Sequence, residues 1–280
     1  MGVRLLRSNP LQLATGFALI ATLAPAVRAQ SSSASDANRP HAKVELIAAQ
    51  DKISSGTPLW VGLQFELDSG WHIYWQNAGD SGEPPKVQWL LPPGFEAGEI
   101  LWPVPKRLGS GSVIDYGYEG TVLLMAPIRS AAKSTAAPVT DISADVKYVV
   151  CSEICIPGKA HLTLSVPTPN DLAARKALFE RTRAELPKAM PPDWRANATS
   201  DKNNFTLLIH GASLEHSATF FPLTPGQIEN SAPQKFESLA DGFRLTLKKS
   251  DQFVAPARWL KGLLILGDGN SYEVAARIEM

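Results

Sequence analysis

The chain lacks an excess of charge of either sign. Its 280 residues include 27 Lys and Arg and 27 Asp and Glu, so the formal net charge is zero. Proteins that bind nucleic acids usually carry a basic excess or a basic stripe, and no long run of one charge sign occurs here. The composition therefore predicts a protein with no nucleic-acid partner.

Apolar stretches long enough to cross a membrane are missing after the first thirty residues. Those thirty residues comprise the basic start "MGVRLLR", the apolar run "LQLATGFALIATLAPA" and small residues at Val27 and Ala29. The order predicts a secretory signal peptide over residues 1–29, cleaved after Ala29, because the apolar run falls short of the roughly 20 residues of a membrane anchor. We expect an exported protein in an extracytoplasmic compartment, with a flexible start over residues 30–41 and no membrane span after cleavage.

No helix-length amphipathic pattern interrupts residues 42–168, which argues against alternating strands and helices. Short segments rich in β-branched and aromatic residues, separated by Gly, Pro, Asp or Ser, predict an all-β antiparallel sandwich there. Residues 169–204 are predicted to form a helix that begins near Asp171 and ends at Pro187, followed by a polar linker. Strand patterns resume over residues 205–280 and predict a second small β-domain.

The motifs of hydrolases and nucleotide-binding proteins are also missing. The chain has no residue order typical of a Ser–His–Asp catalytic triad, no phosphate-binding glycine loop and no HExxH pattern. "GDSGEPP" (79–85) is acidic but falls short of a calcium loop, so we interpret it as a conformationally demanding turn. No cofactor is predicted, and the candidate chemistry rests on the only two cysteines, Cys151 and Cys155.

These cysteines lie between two strand patterns and are separated by three residues. If the chain turns between them, they face each other across a hairpin end at about 4.5–5.5 Å between Cα atoms, within the disulfide range. One interpretation is a structural staple, as expected of an exported protein with two cysteines. A five-residue loop, however, contributes only about 2 kcal/mol on the chain-entropy model.

A second interpretation is a Cu(I) site, because two thiolates suit a soft ion. His161 is a possible further ligand, whereas structural zinc requires four ligands and no other cysteine exists. Pro157 and Gly158 would stop a helix after the pair, which argues against the fold of thioredoxin-like copper carriers.

A third interpretation is a redox-active pair. Lys147 and Lys159 would favour a thiolate, and Glu153 between the cysteines would oppose it. From the residues alone, the staple, the copper site and the redox pair all stay open.

Long segments around this pair resemble the exported amino-terminal region of DsbD-type thiol:disulfide interchange proteins, especially the ScsB-like branch associated with copper tolerance. The resemblance is carried by "GWHIYWQNAGDSGEPPKVQWLLPPGF" (70–95), "LWPVPKRLGSGSVIDYGYEGTVLLMAPI" (101–128) and "YVVCSEICIPGKAHLTLSVP" (148–167). Residues 220–234 and 260–276 resemble the same branch, so the likeness covers most of the chain after the predicted signal peptide.

The resemblance implies an immunoglobulin-like domain whose catalytic pair corresponds to Cys151 and Cys155. In this family the pair takes electrons from a membrane-embedded donor of the DsbD type and passes them to thioredoxin-like periplasmic proteins, without a cofactor. Family members shield the pair with an aromatic cap loop, which we expect within residues 109–120. The candidate cap or modulating residues are Asp115, Tyr116, Tyr118 and Glu153, with either tyrosine as the covering ring.

The chain departs from the best-known DsbD members in two respects. Their cysteines are more widely spaced than Cys151 and Cys155, so the geometry of the pair is expected to differ. The membrane section and the thioredoxin-like section are absent from the 280 residues. We therefore expect the electron donor to be a separate membrane protein, and any enzymatic activity to be thiol:disulfide interchange.

Overall fold

The computed structural model describes Gly2 and residues 41–51, 57–109, 111–130, 141–167, 171–212, 216–253 and 257–279. All elements below belong to one compact unit, Ser35–Met280. The predicted signal peptide and nearly all of the predicted flexible start lie outside the described residues. Within the described ranges, no helix is both long enough and apolar enough to span a membrane.

The first part of the unit is built from short strands in two antiparallel sheets. The strands are β1 (Ala42–Ala48), β2 (Leu59–Leu67), β3 (His72–Gly79), β4 (Lys86–Leu90), β5 (Phe95–Ala97), β6 (Lys106–Leu108), β7 (Asp115–Glu119), β8 (Thr121–Ser130), β9 (Asp141–Cys151) and β10 (Cys155–Ser165). One sheet has the order β1-β2-β8-β5, and the other has the order β10-β9-β3-β7-β6 with β4 also paired to β9. The predicted all-β, immunoglobulin-like fold is confirmed.

Alternating side chains of these strands form the core between the two sheets. On β9, for example, every second residue from Ile142 to Val150 is buried, and Phe65 of the opposite sheet packs edge-on against Tyr148 with ring centroids 5.4 Å apart. Trp75 is fully buried in the same core, as its place on an alternating strand predicts. This rigid sandwich carries the hairpin formed by β9 and β10.

The helix α1 (Leu172–Ala184) connects the two β-rich regions. Asp171 caps it, because its carboxylate accepts hydrogen bonds from the backbone N–H groups of Ala173 and Ala174. Phe179 is fully buried against the outer face of the first sandwich, in a cluster with Met125. The helix is thus held by packing on β8 as well as by its cap.

A second β region follows the helix. Its strands are β11 (Lys188–Ala189), β12 (Arg195–Ser200), β13 (Asn204–His210), β14 (Ala218–Pro222), β15 (Lys235–Leu239), β16 (Gly242–Lys248), β17 (Trp259–Leu266) and β18 (Ser271–Glu279). Their order is β14-β17-β18-β12-β13-β16-β15, with β11 also paired to β18. Residues 188–204 therefore contain two strands where the sequence pattern predicts a linker. The β12 segment has few apolar side chains, and its parallel partner Ile278 is distant in the chain, so the local pattern does not reveal this pairing.

The second β region shares a packed interface with the first. Phe221 and Leu263 belong to the core cluster of the first sandwich. The side-chain amide of Asn77 donates a hydrogen bond of 2.7 Å to the carbonyl of Pro222. The two β regions therefore contact each other through buried apolar and polar groups.

Candidate redox site

Cys151 and Cys155 form a disulfide at the end of the β9–β10 hairpin. They are directly opposed in the antiparallel register, with Cα atoms 4.2 Å apart and an S–S bond of 2.04 Å. Ser152, Glu153 and Ile154 make the turn, and the N–H of Ser152 donates to the carbonyl of Ile154. The predicted opposition across a hairpin end is confirmed.

The two sulfur-bearing residues differ sharply in exposure. Cys151 is 1% exposed, whereas Cys155 is exposed to solvent. The difference follows from the sheet order, because β9 lies between β10 and β3 and Cys151 pairs with His72 of β3. Cys155 lies on β10 at the end of that order. Cys155 is therefore the solvent-exposed member of the pair, while Cys151 is covered by its neighbours.

Tyr74 is the aromatic side chain beside the disulfide. It is 0% exposed as a whole residue, and its hydroxyl oxygen lies 3.6 Å from the Sγ of Cys155. The same hydroxyl lies 3.3 Å from the Oγ of Ser81. Burial raises the pKa of Tyr74, against an opposing effect of the neighbouring Ser81 hydroxyl and with a further rise from Asp115. The phenol is therefore protonated at neutral pH and has a hydrogen to donate.

Ser81 and Asp115 orient that phenol. The hydroxyl of Ser81 donates a hydrogen bond of 2.8 Å to Oδ2 of Asp115, and the backbone N–H of Ser81 donates one of 2.9 Å to Oδ1. Because the single hydroxyl hydrogen of Ser81 is used, its Oγ can only accept from Tyr74. The hydrogen of Tyr74 is consequently directed either to Ser81 or to the sulfur of Cys155.

His72 lies at the other side of this network. Its Nε2 is 3.8 Å from Oδ2 of Asp115, and its ring packs edge-on against Tyr74 with centroids 5.1 Å apart. Burial lowers the pKa of His72, against the opposing effects of the Asp115 and Glu119 carboxylates. The imidazole is therefore mainly neutral at pH 7.

Gly82 allows the turn of residues 79–85 to lie directly on Tyr74. Its φ is +67°, and a Cβ at this position would lie 2.1 Å from Cζ of the Tyr74 ring. Only a residue without a side chain fits both the backbone conformation and the approach. The turn predicted to be conformationally demanding is confirmed, and it covers the ring that contacts Cys155.

The other predicted site residues have different positions. Asp115 is buried in the network described above, and Glu153 is exposed in the hairpin turn. Tyr116 packs on Phe221, with ring centroids 4.6 Å apart, and Tyr118 donates a hydrogen bond of 2.7 Å to the carbonyl of Pro103. Burial raises the pKa of both tyrosines.

This placement differs from the expected covering ring. Side chains alternate along β7, so Asp115 and Gly117 face the side of Tyr74 while Tyr116 and Tyr118 face the core. The aromatic side chain that contacts Cys155 is Tyr74, which is not among the predicted site residues. Its position next to an exposed sulfur depends on a pairing of strands far apart in sequence.

His161, the possible further metal ligand, is not close to the disulfide. It lies six residues along β10 from Cys155, about 20 Å on an extended strand. Its Nδ1 is 2.7 Å from Oδ1 of Asp145. In the described part of the chain, no group of three or more His, Cys, Asp or Glu residues is arranged to hold a metal ion.

Fold and site together define an immunoglobulin-like β-sandwich with a disulfide between one buried and one exposed cysteine at the end of a hairpin. Residues 43–167 match the family "Thiol:disulfide interchange protein DsbD, N-terminal". No curated protein matches the chain. The cysteine hairpin lies within the matched residues.

A solved structure extends the comparison to the second β region. The chain is similar to the N-terminal periplasmic domain of ScsB from Proteus mirabilis, with a TM-score of 0.67 and 19% identity. The likeness covers 86% of this chain and 95% of that one. At this identity the likeness establishes the fold, including the arrangement of the region that follows residues 43–167.

Proposed function

We propose that the protein is a periplasmic thiol–disulfide exchange module that passes reducing equivalents through Cys151 and Cys155. The observation that carries the proposal is the unequal exposure of the two cysteines, at a hairpin within a DsbD-type domain. A disulfide that serves only as a staple needs no accessible sulfur. A disulfide that exchanges with another protein needs one sulfur open to attack, and Cys155 meets this requirement.

The exchange would begin at the exposed sulfur. A thiolate of a reduced donor attacks the Sγ of Cys155, the Cys151–Cys155 bond breaks, and its electron pair leaves on the Sγ of Cys151, which takes up a proton. The second donor thiolate then attacks the donor sulfur of the mixed disulfide and releases Cys155 as a thiolate. The donor is oxidised to a disulfide, and the module is reduced to a dithiol.

The second half of the cycle reverses the roles. The thiolate of Cys155 attacks the disulfide of an oxidised acceptor and forms a mixed disulfide, and Cys151 then displaces the acceptor thiolate and restores the internal disulfide. The family match supports thioredoxin-like acceptors and a DsbD-type membrane donor, and the likeness to a periplasmic domain supports a periplasmic location. The protein would thus act as an intermediate carrier of two electrons.

Single serine variants test the proposal and the assigned roles. Cys151→Ser leaves the exposed Cys155 without its resolving partner, so it should accumulate a mixed disulfide with an oxidised thioredoxin-like periplasmic protein. Cys155→Ser leaves only the buried Cys151 and should accumulate much less. Non-reducing electrophoresis followed by mass spectrometry measures both products. If Cys151→Ser traps no such partner, a structural staple becomes the better account.

A further inference from the structure

The second β region has no part in the exchange chemistry, yet a continuous path of polar contacts joins it to Cys155. The path begins at Asn230, which is 5% exposed. Its Nδ2 donates a hydrogen bond of 2.7 Å to Oδ1 of Asp80, and its Oδ1 accepts one of 3.0 Å from the hydroxyl of Tyr116. Both polar atoms of the buried side-chain amide therefore form hydrogen bonds across the interface between the two β regions.

Asp80 transmits this contact to the turn that covers Tyr74. Its Oδ2 accepts a hydrogen bond of 2.8 Å from the N–H of Ile114, and its own N–H donates to the carbonyl of Ile114 at 2.9 Å. The next residue is Ser81, which contacts both Asp115 and the hydroxyl of Tyr74. A displacement of Asp80 would consequently move the group that orients the phenol beside Cys155.

Neighbouring contacts hold the same interface. Phe221 packs on the ring of Tyr116, and Arg107 donates a hydrogen bond of 3.2 Å to the backbone carbonyl of Asn230. Asn230 therefore lies in a fixed position relative to β6 and β7. The fixed side-chain amide of Asn230 can therefore restrict the position of the turn around Asp80. Supporting hydrogen bonds restrict a metal-binding side chain in the same way.

We propose that the second β region positions the redox site, with Asn230 as the positioning residue. Through Asp80 and Ser81 it holds the hydroxyl of Tyr74 at the Sγ of Cys155, where that hydroxyl donates to the thiolate formed during exchange. The inference rests on the proposed exchange function. Hydrogen bonds to a charged group are about twice as strong as neutral ones, so the contact favours the thiolate over the thiol of Cys155.

The donor and the acceptor of the hydrogen bond between Asn230 and Asp80 can be exchanged by mutation, and this exchange provides the test. Asn230→Asp places a second carboxylate against Asp80 and should displace the turn. In the double variant Asn230→Asp with Asp80→Asn, the new amide donates to the new carboxylate. The oxygen of that amide still accepts from Ile114, and Tyr116 still donates to residue 230. The double variant should therefore restore the positions that the single variant disturbs.

Two readouts report on Cys155 without a protein partner. The first is the rate at which dithiothreitol reduces the disulfide, and the second is the pH midpoint for alkylation of Cys155 by iodoacetamide in the reduced protein. Tyr74→Phe should raise the pH midpoint and slow, by about tenfold, the step of reduction that releases Cys155 as a thiolate, because a hydrogen bond to a charged group is lost. Asn230→Asp should likewise slow reduction and raise the pH midpoint. The disulfide of the double variant should be reduced at a rate within about twofold of the wild-type rate.

Gln234→Ala serves as a matched control. Gln234 bonds both the N–H and the carbonyl of Phe220 within the second β region and has no described contact with Asp80. The Gln234→Ala variant should have a lower thermal midpoint of unfolding, with an unchanged reduction rate and an unchanged pH midpoint for alkylation. If Asn230→Asp fails to fold, Asn230→Ala removes the same hydrogen bond without adding a charge.

The outcomes separate this inference from the function on which it rests. If the wild-type disulfide exchanges readily but Asn230→Asp leaves the rate and the pH midpoint unchanged, the positioning role is overturned while the exchange function stands. The same holds if Asn230→Asp slows exchange equally with and without Tyr74→Phe, because positioning through Tyr74 requires non-additive effects. If the wild-type disulfide does not exchange with dithiothreitol at all, both proposals fail.

Discussion

The hydroxyl of Tyr74 lies 3.6 Å from the Sγ of Cys155, and the two residues are 81 positions apart in the chain. The ring is buried while the cysteine is exposed. A buried phenol thus presents its polar end to the sulfur of an exposed cysteine. This relationship gives the site a reactive side, formed by Cys155, and a supporting side, formed by Tyr74 and the residues behind it.

The unequal exposure of the two cysteines predicts unequal reactivity. After reduction of the disulfide, iodoacetamide should modify Cys155 at least about tenfold faster than Cys151, because the buried thiol is shielded from the reagent. Peptide mass spectrometry after short reaction times measures the two rates. Equal rates would mean that the hairpin end opens when the bond is reduced and that the exposure difference does not assign the attacked sulfur.

Gly82→Ala should destabilise the protein by more than the cost of its backbone conformation alone. A residue with a Cβ at positive φ costs about 1–2 kcal/mol, and here the Cβ would also collide with the Tyr74 ring. Gly120→Ala is the matched control, because Gly120 has a φ of +70° and no atom within 4 Å of the added Cβ. Urea denaturation of both variants measures the difference. Equal losses would contradict the close packing of the turn on Tyr74.

His72 should make the folded state less stable as the pH falls. Burial holds its folded pKa below 6.5, so the unfolded chain binds the proton more readily and stability is lost as the pH drops through 6.5 towards the folded pKa. At pH 8 the imidazole is neutral in both states and this loss disappears. His72→Gln should therefore flatten the decline of the unfolding free energy over this range. An unchanged slope would show that His72 is protonated equally in both states.

Ile154 should contribute to partner binding. Its side chain is 64% exposed at the tip of the hairpin, next to Cys155, and a partner that reaches this sulfur must cover it. Ile154→Asp should slow reduction of a thioredoxin-like partner by the module while leaving reduction of the disulfide by dithiothreitol nearly unchanged. Leu90→Asp is a control at another exposed apolar side chain, 41% exposed. Similar effects of the two variants would argue against a specific role for Ile154.

Much of the fold could be predicted from local patterns. Alternation of apolar residues identifies strands such as β9. The position of Cys151 and Cys155 between two strand patterns predicts that they oppose each other across a hairpin end. The prediction failed at β12, where residues 195–200 have few apolar side chains and pair both with the next strand, β13, and with the distant strand β18. The long-range parallel pairing helps to hold this segment in the sheet, and the segment itself contains little sign of it.

The sequence by itself determined the opposition of Cys151 and Cys155 across a hairpin end, the all-β architecture and the resemblance to DsbD-type domains. These depend on residue identity, spacing and period, which can be read along the chain. Only the tertiary structure decided which cysteine is accessible and which aromatic ring contacts it. Exposure depends on where a strand lies in its sheet. The contact of Tyr74 with Cys155, braced by Asp115 and Asn230, depends on packing between segments that local patterns treat separately.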